Sequence, residues 1–444
     1  MSGREDAGGD AADPLAADAL QERALAAFHA GHRQEALGLM RAAVAAAPAA
    51  ALRWRNLCTM AEREGDYTLA LGAAERSVLL APEDATAWQA LAVVRYRLAQ
   101  PDGAAAAARM ALRCDPGHAG AHVILAETLL LAGDYEAGWA EWVWRERLLE
   151  RPPAAPQPGC ASWNGAQLPG GRLLLVADQG YGDAIQFARY LGWAAARCRA
   201  VALVAAPELA PLFAPLLAPG AVLAGWEAVA ATDLLFDAWA PLSDLPRLAG
   251  TRAQAIPAPA SYLAADPAAV AAWSARLEAL APRPARRVGL VWAGRATHPN
   301  DASRSAPAAA LAPLAAVAGV TLLALQPGAD AAAAAAIAPG LPVLAGAIGD
   351  FAGLAAATAA LDLLVTVDSA PAHLAGALGR PVWVMLAYGP DWRWGLDRAD
   401  CPWYPSALLF RPTAPRDWAG LAATVAAALG EWAAGRLPPF RPGP

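Results

Sequence analysis

Two short segments of the 444-residue chain hold the side chains best suited to chemistry. The first is Gln179-Gly-Tyr-Gly-Asp-Ala-Ile-Gln-Phe-Ala-Arg-Tyr190, where Asp183 follows a glycine-containing loop at the start of a helix. A carboxylate there can take a proton from a hydroxyl, and the helix dipole should keep it ionised. The plainer reading is a residue that only caps its helix. The second segment runs from Leu361 to Gly379. Its apolar run from Leu363 to Val367 reads as a parallel strand covered on both faces, and Asp368 and Ser369 end it. Ser369 can cap the following helix, Pro371 suits its first turn and Gly379 its C-cap. A helix N-terminus at the carboxyl edge of a parallel sheet is an anion site, and the usual anion is a phosphate. Most such turns bind nothing, so an ordinary strand-to-helix corner remains the alternative.

Six histidines occur, at positions 29, 32, 118, 122, 298 and 373. The first four lie in a helical part of the chain, whereas His298 and His373 each sit in the most polar motif of their neighbourhood. No lysine is present, so every contact from a side-chain cation to phosphate or carboxylate must be made by a guanidinium, apart from protonated histidine. The formal net charge of -6 gives no support for a nucleic-acid or anionic-membrane partner. Cysteines 58, 114, 160, 198 and 401 show no paired spacing, which indicates neither a zinc site nor a disulfide framework and fits a cytoplasmic setting. The apolar stretch 331–349 is broken by Pro339-Gly340 and Pro342, so no membrane span is expected.

The elements that must position these residues follow from the patterning. Residues 1–16 read as a disordered leader. From 17 to 150 the chain repeats every 34 residues: Pro48, Pro82 and Pro116; Trp54, Trp88 and His122; Leu57, Leu91 and Leu125. Gly31, Gly65 and Gly133 keep the same register with Ala99 between them, and Ala36, Ala70, Ala104 and Gly138 mark a small position five residues later. This is the tetratricopeptide period, three to four helix pairs whose small residues allow close approach and whose inner surface suits an extended polypeptide. A packing or dimer role is the alternative. Trp139, Trp142 and Trp144 are expected to dock the repeats on the next domain, and 151–170 reads as a Pro-rich linker.

Two α/β units follow, 171–282 and 283–444. Strands are expected at 172–177, 201–205, 234–239, 286–294, 321–326, 342–345, 363–367 and 382–386, with helices from near Asp183 and at 207–217, 351–360 and 416–434. Alternation of strand and helix predicts two doubly wound parallel sheets.

These motifs, together with Val288-Gly-Leu-Val-Trp-Ala-Gly294, the loop from His298 to Ser305 and Pro390-Asp-Trp-Arg-Trp394, resemble bacterial tetratricopeptide proteins fused to a heptosyltransferase-like (family 9) glycosyltransferase. The resemblance extends more distantly to O-linked N-acetylglucosamine transferases. It implies a GT-B architecture of two Rossmann-like halves, with a nucleotide-sugar donor held mainly by the C-terminal half and inverting, metal-independent transfer. Carried over, Asp183 would be the catalytic base. Asp368, Ser369 and Ala370 would hold the donor diphosphate with His373 nearby, Arg304 and Ser305 would be phosphate-side contacts, and Gly182 would lie beside them. Gln179, His298, Gln326 and Asp391 are further candidates. Relatives often carry Lys after the His of the 298–305 loop; here Pro299 stands there, which leaves the positive charge to Arg304 or Arg295. The chemistry agrees, since a departing nucleoside diphosphate can be neutralised by guanidinium groups and a helix N-terminus. No Asp-x-Asp metal motif appears, Asp397-Arg-Ala-Asp400 having the wrong spacing, so no metal or cofactor beyond the donor is expected. The repeats would select a protein acceptor; flagellin is one acceptor of fusions of this kind. A surface-glycan precursor as acceptor, or a non-catalytic adaptor with a degenerate transferase domain, are the rival readings.

Overall fold

The computed structural model describes residues 14–148, 160–217, 221–298, 300–328 and 331–438. The expected leader up to residue 13 and the expected linker up to residue 159 lie outside the described residues, as does Pro299. The chain packs as two units divided within one helix, between Leu125 and Ala126.

The repeat region forms eight helices: α1 (Pro14–His29), α2 (Arg33–Ala46), α3 (Ala51–Glu64), α4 (Tyr67–Leu80), α5 (Ala85–Arg97), α6 (Pro101–Cys114), α7 (Ala119–Leu131) and α8 (Tyr135–Trp142). The expected leader therefore ends inside α1. The period has a physical cause at each marked position. Trp54 donates its indole N–H to the Pro48 carbonyl and Trp88 to that of Pro82, both at 2.8 Å, and His122 Nε2 donates to Pro116 at 2.9 Å. One hydrogen bond is thus repeated three times, each satisfying a carbonyl just before a helix. Ala36, Ala70 and Ala104 are fully buried, and a Cβ on Gly138 would come 2.7 Å from Leu130, as expected for close helix pairs. Gly31, Gly65 and Gly133 end their helices with φ of +83°, +73° and +86°. Ala99 takes the equivalent place at φ +55°.

The second unit holds two five-stranded sheets, parallel throughout. The first contains β1 (Ala161–Ser162), β2 (Leu168–Val176), β3 (Cys198–Ala205), β4 (Ala221–Ala224) and β5 (Ala238–Pro241) in the order β1-β5-β2-β3-β4. The second contains β6 (Arg286–Val291), β7 (Val320–Ala324), β8 (Leu363–Val367), β9 (Val382–Met385) and β10 (Ala407–Phe410) in the order β10-β9-β8-β6-β7. β8 is buried along its whole length, as its apolar sequence demands. In each sheet the middle strand, β2 or β8, is where the chain order reverses, and each feeds a helix from its carboxyl end: α9 (Tyr181–Phe187) and the helix Ala370–Ala377. Such switch points are where open α/β sheets bind ligands.

Several elements differ from expectation. The strand expected at 342–345 is a single bridge from Val343 to Ala324, because Pro342 has no N–H and a 3-10 turn begins at Ala345. The helix expected at 207–217 is a single turn, Ala210–Phe213, followed by a 3-10 turn, since Pro211 and Pro215 interrupt it. The sequence pattern does not reveal β1, β4 and β10, edge strands of only two to four residues. The last helix, Trp418–Ala433, closes one face of the second sheet with Trp418, Leu421, Val425, Leu429 and Trp432 in its core.

A non-glycine residue in the left-handed region costs roughly 1–2 kcal/mol, against about 0.5–1 kcal/mol for the extra chain entropy of glycine. Ala99→Gly is therefore expected to stabilise the repeats by up to ~1 kcal/mol, read as a rise in the thermal midpoint of helical circular dichroism.

Candidate active site

Asp183 lies in the first turn of α9. Its carboxylate lies near the Gly180 N–H, and its Oδ1 accepts from Arg393 Nη2. Arg393 lies in the 3-10 turn Trp392–Trp394, on the chain of the second sheet, and only 7% of its side chain is exposed. Its Nη1 donates to both oxygens of Asp391 at 2.9 Å, and its Nε to the buried amide oxygen of Gln186. The guanidinium thus joins Asp183 and Gln186 of α9 to Asp391 of the other half. Loss of water pushes the Asp183 carboxyl pKa up, and the dipole expected to keep it ionised is that of a helix only seven residues long. The main opposing influence is the charge of Arg393. The sequence motif around Arg393 assigns it no role, because a lone arginine between tryptophans carries no mark of burial until both sheets are in place.

On the donor side, Ser369 occupies the N-cap position of the helix Ala370–Ala377, but its hydroxyl bonds the Val367 carbonyl at 3.2 Å instead of capping. The first-turn amides therefore have no side-chain cap. Gly379, at φ +65°, follows the helix, and Arg380 N donates to Ala375 O at 2.9 Å, the glycine-ended closure expected from the sequence. Asp368 sits between Asp391 and the cations Arg304 and Arg393, near the Trp394 indole. Burial first, then Asp391, raise its pKa to about 6.

Arg304 is largely covered, against Asp301 at 4.0 Å, and its Nε is buried without a hydrogen-bond partner. Gly294 makes room for it, because a Cβ there would come 2.9 Å from Nη2. Ser305 donates to Asp301 at 2.7 Å and accepts from Gly294 N at 2.9 Å, so it braces this loop. Gln326 is spent the same way, its oxygen accepting from Trp292 N and Ala293 N at 2.9 and 2.8 Å. His298 is exposed and accepts from Asn300 N at 3.1 Å, and Arg295 lies over the ring of Tyr181, 4.8 Å from its centre. His373 is 5% exposed and bonded to Tyr404; burial and three guanidiniums hold its pKa well below the ordinary value, so it brings no positive charge. Gly182 lies directly against it.

The loop bearing Asp183 is anchored from an unexpected direction. Arg145, just beyond α8 and 5% exposed, donates to Asp244 at 2.7 Å and Ser243 at 2.5 Å and lies 3.5 Å from Asp178. Ser243 donates to Asp178 at 2.5 Å, and Gln179 donates to Asp178 at 3.1 Å. Trp139 and Trp142 donate to the Thr251 and Ser243 carbonyls at 2.9 and 3.3 Å, as docking residues should, whereas Trp144 carries Arg147 over its ring. The end of the repeats therefore packs as part of the second unit, whose start lies upstream of the linker expected at 151–170.

A family model for glycosyltransferase family 9 (heptosyltransferase) matches residues 306–419, which include β8, the helix carrying His373 and the turn carrying Arg393. The chain belongs to the family in which tetratricopeptide repeats are joined to a glycosyltransferase of this type. Among its relatives is Protein FlbA of Caulobacter vibrioides, 30% identical over 431 residues, an alignment covering 90% of this chain and 70% of that protein. Similar solved structures include a crystal structure of MamA (18% identical, TM-score 0.28, 30% of this chain and 78% of that one). Another is the first TPR of Spaghetti (RPAP3) bound to an HSP90 peptide (20% identical, TM-score 0.26, 27% and 95%).

Removing a buried guanidinium leaves its carboxylates without a counter-charge, which typically costs 3–5 kcal/mol. Arg393→Met should lower stability on that scale in chemical denaturation, and Asp183→Asn in the same chain should recover part of the loss. A double-mutant cycle with no coupling between the two would contradict the buried pair.

Asp368 gives a pH signature. Its folded pKa of about 6 lies above the ordinary carboxyl value of 3.8, so its contribution to stability is fully present below pH ~3.8 and is lost as pH rises through about 6. Asp368→Asn should therefore match the wild-type melting temperature near pH 4 and exceed it increasingly towards pH 7.

Proposed function

We propose that this glycosyltransferase moves a sugar from a nucleoside-diphosphate donor to a hydroxyl of a protein acceptor, by a single inverting displacement that uses no metal. The observation that carries the reading is the meeting of Asp183, on the helix after β2, with Arg393 and the uncapped helix Ala370–Ala377 after β8. Asp183 takes the proton of the acceptor hydroxyl while its oxygen forms the bond to the anomeric carbon. The bond from that carbon to the diphosphate oxygen breaks on the opposite face, and its electron pair leaves with the nucleoside diphosphate. Burial raises the Asp183 pKa against the opposing charge of Arg393, and the net rise makes its carboxylate a stronger base.

Backbone amides at Asp368, Ser369 and Ala370 and the guanidinium of Arg304 are the proposed cradle of the leaving diphosphate. A buried arginine nitrogen still lacking a partner supports that assignment. Ser305 and Gln326 support the loop, and Asp391 acts through Arg393. The acceptor side is proposed as the small depression lined by Asp178, Gln179, Asp183, Phe187 and Ser243. The repeats would select a polypeptide acceptor, flagellin-like in one reading. We place the protein in the cytoplasm, where its five unpaired cysteines would be stable; among the described residues no helix is long and apolar enough to cross a membrane.

Asp183→Asn should keep nucleotide-sugar binding while transfer falls by about 10²–10⁴, and chelators should leave the wild-type rate unchanged. Normal turnover by the Asn variant, or activity that vanishes with a chelator and returns with manganese, would end the respective parts of the reading. The role of the repeats is tested by a chain beginning at Gly117, which keeps α7, α8 and Arg145. It should bind donor normally yet lose transfer to protein, because the docking that raises local acceptor concentration is gone.

A further inference from the structure

Ser243 has no polar atom to spare. It stands in the 3-10 turn Leu242–Asp244 that follows β5, with 1% of its surface exposed. Its N–H donates to Asp178 Oδ1 at 3.1 Å and its hydroxyl to Asp178 Oδ2 at 2.5 Å. Its carbonyl accepts Trp142 Nε1 at 3.3 Å, and its hydroxyl oxygen accepts from Arg145, 3.1 Å from Nε and 2.5 Å from Nη2. The loops leaving the neighbouring strands β2 and β5 are thus stitched together at one residue. The stitch is closed by α8 and the turn after it, Val143–Leu148.

Only a guanidinium can make this closure. From one plane Arg145 also reaches Asp244 at 2.7 Å and, through Nη1, the Trp142 carbonyl at 3.0 Å. An ammonium carries its three donors at a single point and cannot span acceptors so far apart. Stability is a poor account of the cluster, since burying an ion pair in place of apolar groups of the same size is often neutral or unfavourable. What the cluster does fix is the turn from Asp178 to Asp183. That turn has glycine at 180 and 182, which offer no side chain to hold it. Gln179 only bonds back to Asp178 at 3.1 Å, and Tyr181 leans on Phe351 of the other half, 5.1 Å between ring centres. Asp178 is therefore the anchor this turn has on the side of the first sheet.

Resting on the functional reading above, we propose that Arg145 is a positioning residue of the transferase: by holding Ser243 against Asp178 it sets the turn that carries Asp183, so the base reaches the acceptor hydroxyl only while α8 is docked. Arg145 acts through Ser243 and Asp178, not on the reacting atoms. The last helix of the repeats is then a working part of the catalytic half as well as the end of an acceptor-selecting array. Misplacing a reacting group by about 1 Å costs on the order of 10²-fold in rate, which sets the scale of the effect.

The test uses the full chain with Arg145→Lys, which keeps the charge but loses the fan of donors, and with Ser243→Ala as a milder second variant. Hydrogen–deuterium exchange should quicken in peptides covering 178–184 in both variants and stay as in wild type over Ala370–Ala377. Unchanged exchange at 178–184, or faster exchange across the whole second unit, would overturn the proposal. UDP-, GDP- and ADP-linked sugars are then screened by thermal shift, and hydrolysis of the one that binds is followed with water as acceptor. Both variants should lower kcat about 10–100-fold while KM for the nucleotide sugar stays within about twofold, and Arg145→Lys should lose nothing further in a chain already carrying Asp183→Asn. A kcat equal to wild type, a KM that rises as steeply as kcat falls, or fully additive losses with Asp183→Asn would make Arg145 a purely structural residue and overturn the assignment. If none of the sugars binds wild-type protein, the functional reading fails, whereas the exchange map still decides whether Arg145 holds the turn.

Discussion

A guanidinium removed from water must be matched by negative charge and by acceptors for its five N–H groups, and Arg393 meets that demand only by drawing on both sheets. Asp391 comes from its own turn, whereas Asp183 and Gln186 come from the helix that follows β2. Much of the site's geometry follows from this. Asp183 is brought to the crevice, Trp392 and Trp394 are pinned on either side of the arginine, and Asp368 is left buried beside Asp391, which together lift its pKa. The same burial that makes the pair costly gives Asp183 a basicity that a solvated carboxylate would lack.

The repeat period, the two middle strands and the helices that leave them were legible because each rests on local signals: apolar runs of β length, a proline after the strand, a glycine at the helix end. The 34-residue register could be read although its cause could not. The ring-to-carbonyl bonds of Trp54, Trp88 and His122 show why histidine can stand in for tryptophan, since both rings offer one N–H at a similar reach. What stayed hidden depends on long-range packing. Nothing near Arg145 announces that it will be buried against Asp178 and Asp244, and nothing near Arg393 predicts Asp183, which precedes it by 210 residues. Prolines decided the local misses, at 211, 215 and 342, where propensity for helix or strand gave way to a missing N–H.

Glycines in this site act by absence of a side chain more than by flexibility. Gly182, Gly294 and Gly376 have no unusual backbone angle, yet each leaves the space in which a functional ring or guanidinium lies. The polar groups of the site are then fixed by their neighbours: Ser305 by Asp301 and Gly294, Gln326 by two amides, His373 by the Tyr404 phenol. Such preorganisation spares the site much of the rearrangement that would otherwise be needed when charge develops on a leaving group.

The ring latches also bear on how the molecule reports its own condition. Of 17 tryptophans, only Trp54 and Trp88 lie in the unit that ends at Leu125, leaving the other 15 in the second unit. Several of those, Trp383, Trp392, Trp394 and Trp403 among them, are fully enclosed. Intrinsic fluorescence therefore watches the second unit almost alone, while far-ultraviolet dichroism draws on the helices of both units.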